Sequence, residues 1–542
     1  MIASFLSRGF RSVLFQIRNE CSRPSASLQS AVLHGSYILC LGIALPAAGF
    51  AQPQTQIAQD RARLGNSTPL LNQTDPATVR DSEQAPQKAP GDGDKPDTSG
   101  NLLGNMWGGR SWLYKYGITL DIQEFDELWG NATGGTPSRM DGNGGTGAGT
   151  GPAYDGVTMP TLTVDLDKLF GLKGGIFNIS ALQTRGRSIT QDHLGTFNPI
   201  SGLEADRSTR LFELWYQQSF LSDTLDVKIG QQDLDTEFLI SGYGAMYLNA
   251  NFGWPMGPSV NLYAGGPSWP LSSPAVRLRY RPSHQFTFMF AAADDNPPGN
   301  RYNTFCIQDG GNCADPTNQT TNDGSGTRFN MGTGALLMTE LQYAINPQPA
   351  DLSKATKDPG LPGVYKLGGF YDTALFPDYG RGGAPGGPND TTMPRWDRGN
   401  WMVYGVVDQM VWRPSLNAAR SLGLFVRATG NGGDRNLISF AIDAGLNLNA
   451  PFKGRGNDTI GLGWGIGRAS SGLRQYDRNT GSLVQGNESH LEVTYQAQVM
   501  PWLVLQPDFQ YVWHPAGGIG DWSGVRRIGD EAVFGLRSNI VF

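Results

Sequence analysis

The sequence carries little charge and has no long apolar segment beyond its N-terminal region. Charged residues are 17% of the 542 positions, whereas soluble proteins average about a quarter. After residue 51, no apolar run approaches the roughly 18 residues that a membrane-spanning helix needs. These two shortages exclude a helical membrane protein. They leave open one built from strands, in which apolar and polar residues alternate.

Histidine and basic residues are also scarce. The chain has five histidines and a net charge of −6, so electrostatics give no support to nucleic-acid binding. The sequence contains no G-x-S-x-G motif. Ser489 adjoins His490, but neighbours on a strand point to opposite faces and form no dyad. We therefore expect neither an enzyme nor a bound cofactor.

Only four cysteines are present, and two of them, Cys21 and Cys40, lie in the N-terminal region. The other two, Cys306 and Cys313, enclose the short stretch "CIQDGGNC". In an exported protein, two closely spaced cysteines favour a small disulfide-closed loop. A metal site is less well supported, because no histidine lies nearby.

The N-terminal region has the pattern of a secretory signal peptide. Four arginines precede the apolar run "SYILCLGIALPAAGFAQ", and small residues end that run, which predicts residues 1–51 as the signal with cleavage near Ala51. The alternative is an uncleaved anchor. Residues 52–106 are rich in Gln, Pro, Asp and Thr and show no apolar period, so we predict a disordered periplasmic arm.

Glycine and aromatic residues are abundant, with 73 glycines and 10% aromatics. From Trp107 onward, short alternating segments are separated by clusters of Gly, Asn, Asp and Pro, which is the pattern of strands and turns. About sixteen such segments follow one another, each near the 9 to 11 residues of a tilted membrane strand. The connections alternate between mostly short and mostly long.

This rhythm predicts an all-β fold over residues 107–542. It is an antiparallel transmembrane β-barrel of about 16 strands, with short periplasmic turns and long extracellular loops. Alternation by itself also fits a soluble β-sandwich. The last residues, "AVFGLRSNIVF", place apolar residues on one face and end at Phe542. A soluble edge strand of this kind would promote aggregation, so we predict a final barrel strand facing outer-membrane lipid. This ending also resembles the signal read by the barrel assembly machinery.

A barrel of sixteen strands encloses more volume than side chains fill, so its interior is expected to be a channel. The third extracellular connection, 234–273, is too apolar to stay in water, and we predict that it folds inward and narrows the pore. The alternative is a loop packed over the mouth or on a neighbouring subunit. The stretch "IGLGWGIG" puts Gly461, Gly463, Gly465 and Gly467 on one face, which predicts open space there rather than a filled, purely structural barrel.

Strand six, "AVRLRYR", points Arg277, Arg279 and Arg281 into the lumen. Acidic candidates face this basic stripe: Glu213, Asp226, Asp233 and Glu237. A transverse field of this kind orients dipolar, hydroxyl-rich solutes. The alternative is a set of salt bridges that only stiffen the wall. Trp215 is predicted to point inward, where its flat face could stack on a sugar.

The segments resemble, in order, those of the carbohydrate-selective porins of the OprB family. The similar stretches include "WGGRSWLYKYGI", "DLDKLFGLKGGIF", "RLFELWYQQSF", "VKIGQQDLDTEF", "MVYGVVDQMVW" and "FGLRSNIVF". The resemblance implies a sixteen-stranded outer-membrane channel for passive uptake of monosaccharides, narrowed by inward loops and charged lumen residues. By position, it carries substrate-binding roles over to a set of pore-lining residues: Glu213, Trp215, Asp233, Glu237, Asp408 and Gln409.

We therefore expect a selective channel for glucose-like sugars in the outer membrane of a Gram-negative cell. A general porin, or one for polyols or small organic acids, is the alternative. The expected partners are small sugars, membrane lipid and the assembly machinery that reads the Phe542 end. The sequence is also compatible with a homo-oligomer.

Overall fold

The computed structural model forms a closed barrel of sixteen strands. It describes residues 96, 98–135, 150–297, 323–329, 331–348, 358–379, 396–416, 418–521 and 525–542. The first eight strands are β1 Ile118–Thr133, β2 Pro152–Asp165, β3 Gly175–Gly186, β4 Ser208–Phe220, β5 Leu225–Gln232, β6 Ser273–Tyr280, β7 Phe286–Ala293 and β8 Leu336–Ile345. The other eight are β9 Gly363–Pro377, β10 Trp396–Trp412, β11 Ser421–Asn431, β12 Ile438–Asn449, β13 Thr459–Ala469, β14 Asn487–Met500, β15 Leu503–Trp513 and β16 Glu531–Val541.

Each strand pairs with its neighbours in sequence, and β16 closes the barrel on β1. All pairings are antiparallel; at the closure, Gln123 lies opposite Val541 and Trp129 lies opposite Gly535. No strand edge is left open, as a membrane barrel requires, because a bilayer core offers no hydrogen-bond partner to a free edge. The predicted all-β barrel and its strand number are confirmed.

The alternation in the last strand separates two faces. Val533, Arg537 and Asn539 are buried on the inner side, whereas Phe534 and Leu536 are exposed on the outer side. Phe542 follows the strand, and its main-chain N–H donates to the carbonyl of Ile122 on β1 at 3.0 Å. The terminal stretch is therefore a paired barrel strand with an apolar outer face, as predicted.

The connections keep most of the predicted rhythm. The turns after β4 and β14 are short, and the loops after β5 and β7 are long. Two connections depart from it: the one between β8 and β9 is long, and the one between β11 and β12 is short.

The helices are short and lie in the connections. They are α1 Gly109–Lys115, α2 Leu166–Phe170, α3 Ile189–His193, α4 Ala250–Gly253, α5 Met256–Asn261 and α6 Ser471–Thr480, with a helical turn at Pro515–Gly518 and 3-10 turns at Met106–Gly108, Gly244–Met246 and Tyr263–Gly265. In the part of the chain described, none of the helices is long and apolar enough to cross a bilayer.

The segment before β1 binds the C-terminal end of the chain. Asn101 donates through its side chain to the main-chain oxygen of Phe542 at 2.7 Å, and the guanidinium of Arg110 on α1 donates to the same oxygen. The Leu102 N–H donates to the Val541 carbonyl at 2.8 Å. Residues 98–106, predicted as part of the disordered arm, therefore belong to the folded structure, because residues near 101 already pair with the last strand. Most of the predicted arm lies outside the described residues, as does the predicted signal peptide.

We expect the Arg110 bond to hold the final strand in register. Arg110→Met keeps the aliphatic stem but removes the donor, and a hydrogen bond to a charged group contributes roughly 1.5–3 kcal/mol. The free energy of unfolding, measured by urea titration in detergent micelles, should fall by about that amount. Lys115→Met, at an exposed position of the same helix, is the matched control and should leave the midpoint unchanged. Equal midpoints for both variants would contradict this role.

Candidate functional site

The third extracellular connection, residues 233–272 between β5 and β6, folds into the barrel. We call it loop 3. Nearly all its side chains are buried, and its contacts are with inward-facing residues of the opposite wall. Tyr247 and Phe252 pack against Phe425 of β11, with ring centroids 5.7 and 5.9 Å away. The predicted inward course of this loop is confirmed, and the loop fills a large part of the lumen.

Loop 3 packs directly against the glycine stripe on β13. A Cβ at Gly463 would lie 2.7 Å from Phe252 and 2.8 Å from Tyr247, and one at Gly467 would lie 2.3 Å from Met256. The prediction that these glycines leave open space is wrong. They remove wall side chains so that the aromatic residues of loop 3 fit against the backbone.

Wall carboxylates hold loop 3 through its main-chain N–H groups. Glu492 on β14 accepts from the N–H groups of Leu248 and Asn249 at 2.6 and 2.9 Å. Asp408 on β10 accepts from the Gly242 N–H at 3.1 Å. Glu340 on β8 accepts from the Leu239 N–H at 3.0 Å. Three acidic side chains on three strands therefore satisfy backbone donors that the apolar loop would otherwise bury unpaired.

Arg427 on β11 binds the carbonyl groups of the same loop. Its guanidinium donates to the carbonyls of Gly253 and Asn251 at 2.7 and 2.6 Å. Asp443, opposite it on β12, pairs with it at 3.0 Å. The wall thus presents acceptors where loop 3 offers N–H groups and a donor where it offers carbonyls.

A second set of charges lies on the β5–β6 wall, at the base of loop 3. Asp226 on β5 forms ion pairs with Arg277, with Arg279 at 3.0 Å and with Arg281 at 3.3 Å. Because β6 runs toward the periplasmic turn at 281–285, the three arginines lead from mid-barrel to the periplasmic end. We call Asp226 and these arginines the arginine ladder.

Glu237 connects loop 3 to the arginine ladder. Its carboxylate accepts from Arg277 at 3.2 Å and pairs with Lys228 of β5 at 2.5 Å. Burial alone would raise the pKa of this carboxyl, but Arg277 and Lys228 hold the pKa well below its ordinary value. Glu237 is therefore ionised, and its charge is balanced by two cations.

Trp215 lies beside this network on the inner face of β4. The Lys228 ammonium is 4.6 Å from the centroid of its ring, within cation–π distance. Its buried indole N–H has no hydrogen-bond partner among the described residues. An aromatic ring and a free N–H donor therefore occur together next to paired charges.

Three carboxyl groups form a separate cluster where loop 3 begins. Glu213 on β4 accepts from Asn178 at 3.4 Å, and Asp235 accepts from the Trp269 N–H at 2.7 Å. Burial, with repulsion from Glu213 and Asp235, raises the pKa of Asp233 well above its ordinary value. Burial raises the pKa of Asp235 to about 7. Asp233 and Asp235 therefore retain protons at pH values where exposed carboxyls would not.

The structure sorts the predicted site residues into four places. Arg277, Arg279, Arg281 and Glu237 meet in the network just described, with Trp215 beside it, and Glu213 and Asp233 lie in the carboxyl cluster. Asp408 is on the lumen wall but is covered by loop 3. Gln409 is not pore-lining. It follows Asp408 on the same strand, so it points to the outer face, where it accepts from the Tyr365 hydroxyl at 2.8 Å.

Cys306 and Cys313 lie outside the described residues, and their pairing remains a prediction. Sequence reasoning missed Lys228, Glu340 and Glu492, although all three occupy inward positions of alternating strands. It also missed the second extracellular loop, residues 187–207, whose Ile189, Ile200 and Leu203 are buried. Within the described ranges, no group of His, Cys, Asp and Glu side chains is arranged to hold a metal ion.

Comparison with known proteins assigns the chain to a family. The family model described as "Carbohydrate-selective porin, OprB family" matches residues 149–542. This chain belongs to that family. Porin B of Pseudomonas aeruginosa is 26% identical over an alignment of 468 residues, and the alignment covers 81% of this chain and 91% of the relative. The putative porin QuiX of Acinetobacter baylyi is 25% identical over 466 residues, 81% of this chain and 93% of the relative.

The fold has a counterpart among solved structures. The structure of Pseudomonas putida OprB at high pH superposes with a TM-score of 0.65 at 22% identity, covering 82% of this chain and 99% of that one. At this identity the likeness concerns the fold. The relatives are porins, which are channels rather than enzymes. Family and barrel together imply an outer-membrane location.

The wall carboxylates predict how loop 3 controls the pore. In Glu492→Gln, the amide N–H₂ cannot accept from the Leu248 and Asn249 N–H groups, so one buried donor loses its partner. We expect larger and noisier single-channel currents in planar bilayers, because loop 3 leaves its position more often. Gln496→Ala, on the same face of β14, is the control and should conduct like the wild type. Unchanged currents in Glu492→Gln would show that this carboxylate does not restrain the loop.

The raised pKa of Asp235 predicts that the stability of loop 3 at its start depends on pH. Its pKa is about 7 in the folded loop against an ordinary value of 3.8. A raised pKa contributes stability in full below about pH 4, and that contribution is lost as the pH rises through 7. Protease cleavage within loop 3 should therefore be faster at pH 8 than at pH 5, and Asp235→Asn should reduce that difference. Asp223→Asn, in the turn after β4, should retain the wild-type difference.

Proposed function

We propose that this protein is a passive outer-membrane channel selective for monosaccharides of the glucose type. The coarser statement, a carbohydrate-selective porin, follows from family membership. The finer one rests on a single observation. Where loop 3 approaches the β4–β6 wall, charged groups are paired with each other and stand beside an aromatic ring with a free N–H.

Paired charges favour a neutral solute over an ion. Arg277 is occupied by Asp226 and Glu237, so an anion would have to replace a carboxylate to bind it. A sugar can bind without breaking an ion pair, because its hydroxyl groups both donate and accept hydrogen bonds and can contact either member of the pair. A hydroxyl-rich neutral molecule could therefore enter this network without separating its ion pairs, whereas an organic acid would have to displace a carboxylate from one of them.

Trp215 supplies the apolar part of the proposed site. The Lys228 ammonium contacts its ring, which is 6% exposed, and the ring would stack on the C–H surface of a sugar that reaches it. Its N–H has no partner in the described protein and would donate to a hydroxyl oxygen. Glu213, Asp233 and the arginine ladder would then contact the solute in transit. Binding at such a site must stay weak, because a tightly held solute would block its own passage.

The proposal extends to the parts of the chain around the barrel. Residues 1–51 would be removed as a signal peptide, and the residues between 52 and the ordered segment at 98 would form a periplasmic arm. The final strand ending at Phe542 would be read by the barrel assembly machinery. Cys306 and Cys313 would close a small extracellular loop by a disulfide bond.

The decisive experiment is a glucose titration of the purified protein in a planar bilayer. We expect ion conductance to fall saturably as glucose occupies the pore. Trp215→Leu should raise the glucose concentration that gives half block roughly two- to tenfold, which is the loss of affinity expected when an aromatic contact of about 0.5–1.5 kcal/mol is removed. Trp464→Leu, a tryptophan on the outer face of β13, is the matched control and should block like the wild type.

Two results would change the assignment. Open channels that glucose does not block would favour the alternative, a general porin or one for other solutes. Equal loss of block in both tryptophan variants would indicate that Trp215 acts through the barrel rather than on the sugar.

A further inference from the structure

The segment before β1, residues 98–117, has one set of side chains that holds the end of the barrel and another set that is exposed. Asn101 and Arg110 donate to the main-chain oxygen of Phe542, and the ring of the buried Tyr114 has its centroid 4.4 Å from the ammonium of Lys168. The same segment leaves five large apolar side chains 39–95% exposed: Leu102, Leu103, Trp107, Trp112 and Tyr116. We call these five the periplasmic apolar patch.

Trp107 is the most exposed large apolar residue in the described part of the chain, at 95%. It lies in a 3-10 turn in which Met106 and Trp107 both have left-handed backbone, with φ of 48° and 55°. Residues other than glycine rarely adopt this conformation, and each instance costs of order 1–3 kcal/mol. Almost none of the indole surface contacts the described chain, so a contact that offsets this cost has to come from outside it.

The charge around the patch is mainly positive. Residues 98–117 contain no Asp or Glu, and Lys115 is exposed on α1. The β2–β3 turn contacts this segment through the Lys168 ammonium. In that turn Lys168 and Lys173 are both exposed, against one exposed carboxylate, Asp167. Apolar and cationic side chains therefore occur side by side at this end of the barrel.

The patch begins at the edge of the lipid-facing wall. The Leu102 N–H donates to the Val541 carbonyl at 2.8 Å, so the segment starts beside the last residues of β16. The outer face of that strand exposes Phe534 and Leu536, and the strand ends on the periplasmic side. The apolar outer surface of the barrel therefore continues onto the segment at the periplasmic edge of the bilayer.

Trp, Tyr and Lys side chains suit that position. Each has an apolar body and a polar or charged tip, so they concentrate where lipid headgroups meet water. A patch of this composition is stabilised when its rings leave water for the boundary between headgroups and acyl chains. Nearby ammonium groups add to this attraction where the lipids are anionic.

We propose that residues 98–117 anchor the periplasmic end of the barrel on the phospholipid leaflet around it. The periplasmic apolar patch inserts among these lipids, and three lysines bind their anionic headgroups: Lys115, Lys168 and Lys173. The lipid-facing wall already reaches this leaflet, so no further partner is needed to cover the patch. The anchor also keeps the segment in place over Phe542, so that lipid binding supports the closure of the barrel.

Site-specific fluorescence in lipid vesicles tests the proposal. Trp107→Cys, in a cysteine-free protein, carries an environment-sensitive nitrobenzoxadiazole label and is reconstituted as a folded barrel. Phospholipids brominated on their acyl chains should quench the label, whereas aqueous iodide should not. Asn479→Cys, exposed on α6 at the extracellular side, is the control, and its label should show the reverse. A label at position 107 that iodide quenches and brominated lipid does not would overturn the proposal.

Lipid charge tests the role of the lysines. Adding phosphatidylglycerol to phosphatidylcholine vesicles should shift the emission of the label at position 107 further to the blue, because anionic headgroups draw the segment deeper. Lys115→Gln, Lys168→Gln and Lys173→Gln together should abolish this shift and retain quenching by brominated lipid. Lys453→Gln, at an exposed position of the β12–β13 turn, should keep the shift. Equal emission of the unsubstituted protein in both kinds of vesicle would rule out binding of anionic headgroups.

A protein partner is the alternative occupant of the patch. With a benzophenone amino acid in place of Trp107, irradiation of intact outer membranes should give a phospholipid adduct, detected by mass spectrometry of the digested chain. A cross-linked band that contains a second polypeptide would overturn the proposal in favour of a protein contact. The heat-modifiable mobility of a folded barrel, retained by every variant, excludes misfolding as the cause of either result.

Discussion

Closure of the sheet is the constraint on which the rest of this structure depends. In a bilayer core, no water is present to form hydrogen bonds with unpaired main-chain groups, so β16 has to pair with β1. Once that pairing is fixed, every side chain is committed to the lumen or to the outside. The lumen of a sixteen-stranded barrel is too wide for the side chains of the wall to fill. The residues that occupy it therefore have to come from the loops between strands.

Loop 3 supplies that content, and the way it is held explains the chemistry of the wall. An apolar loop folded into a lumen buries main-chain N–H and carbonyl groups, and each needs a partner. Glu340, Asp408 and Glu492 accept from its N–H groups, while Arg427 donates to its carbonyls. Many of the ionised residues inside this barrel are therefore structural. In the proposed function, a solute would meet the residues left at the edge of the loop.

At that edge, the charged groups of the β4–β6 wall already form ion pairs with each other. Two carboxylates, Asp226 and Glu237, are shared among four cations: Arg277, Arg279, Arg281 and Lys228. The wall salt bridges that the sequence offered as one alternative are present, and the orienting field stays a prediction. The ion pairs continue from Glu237 and Arg277 along β6 to Arg279 and Arg281, at the periplasmic end.

The sequence by itself determined the strands, their number and their two faces, because a period of two residues is a local property that survives in any tertiary context. It also identified the inward direction of Arg277 and Trp215 and the inward course of loop 3, whose apolar residues had to be covered. Only the tertiary structure decided what each inward residue touches. Gly463 proved to face Phe252 and not open space, and Asp408 proved to lie beneath loop 3. Gln409, placed in the pore by resemblance, proved to point outward. These outcomes depend on contacts between segments far apart in the chain, and a single sequence carries no signal for which wall residue meets which part of a loop.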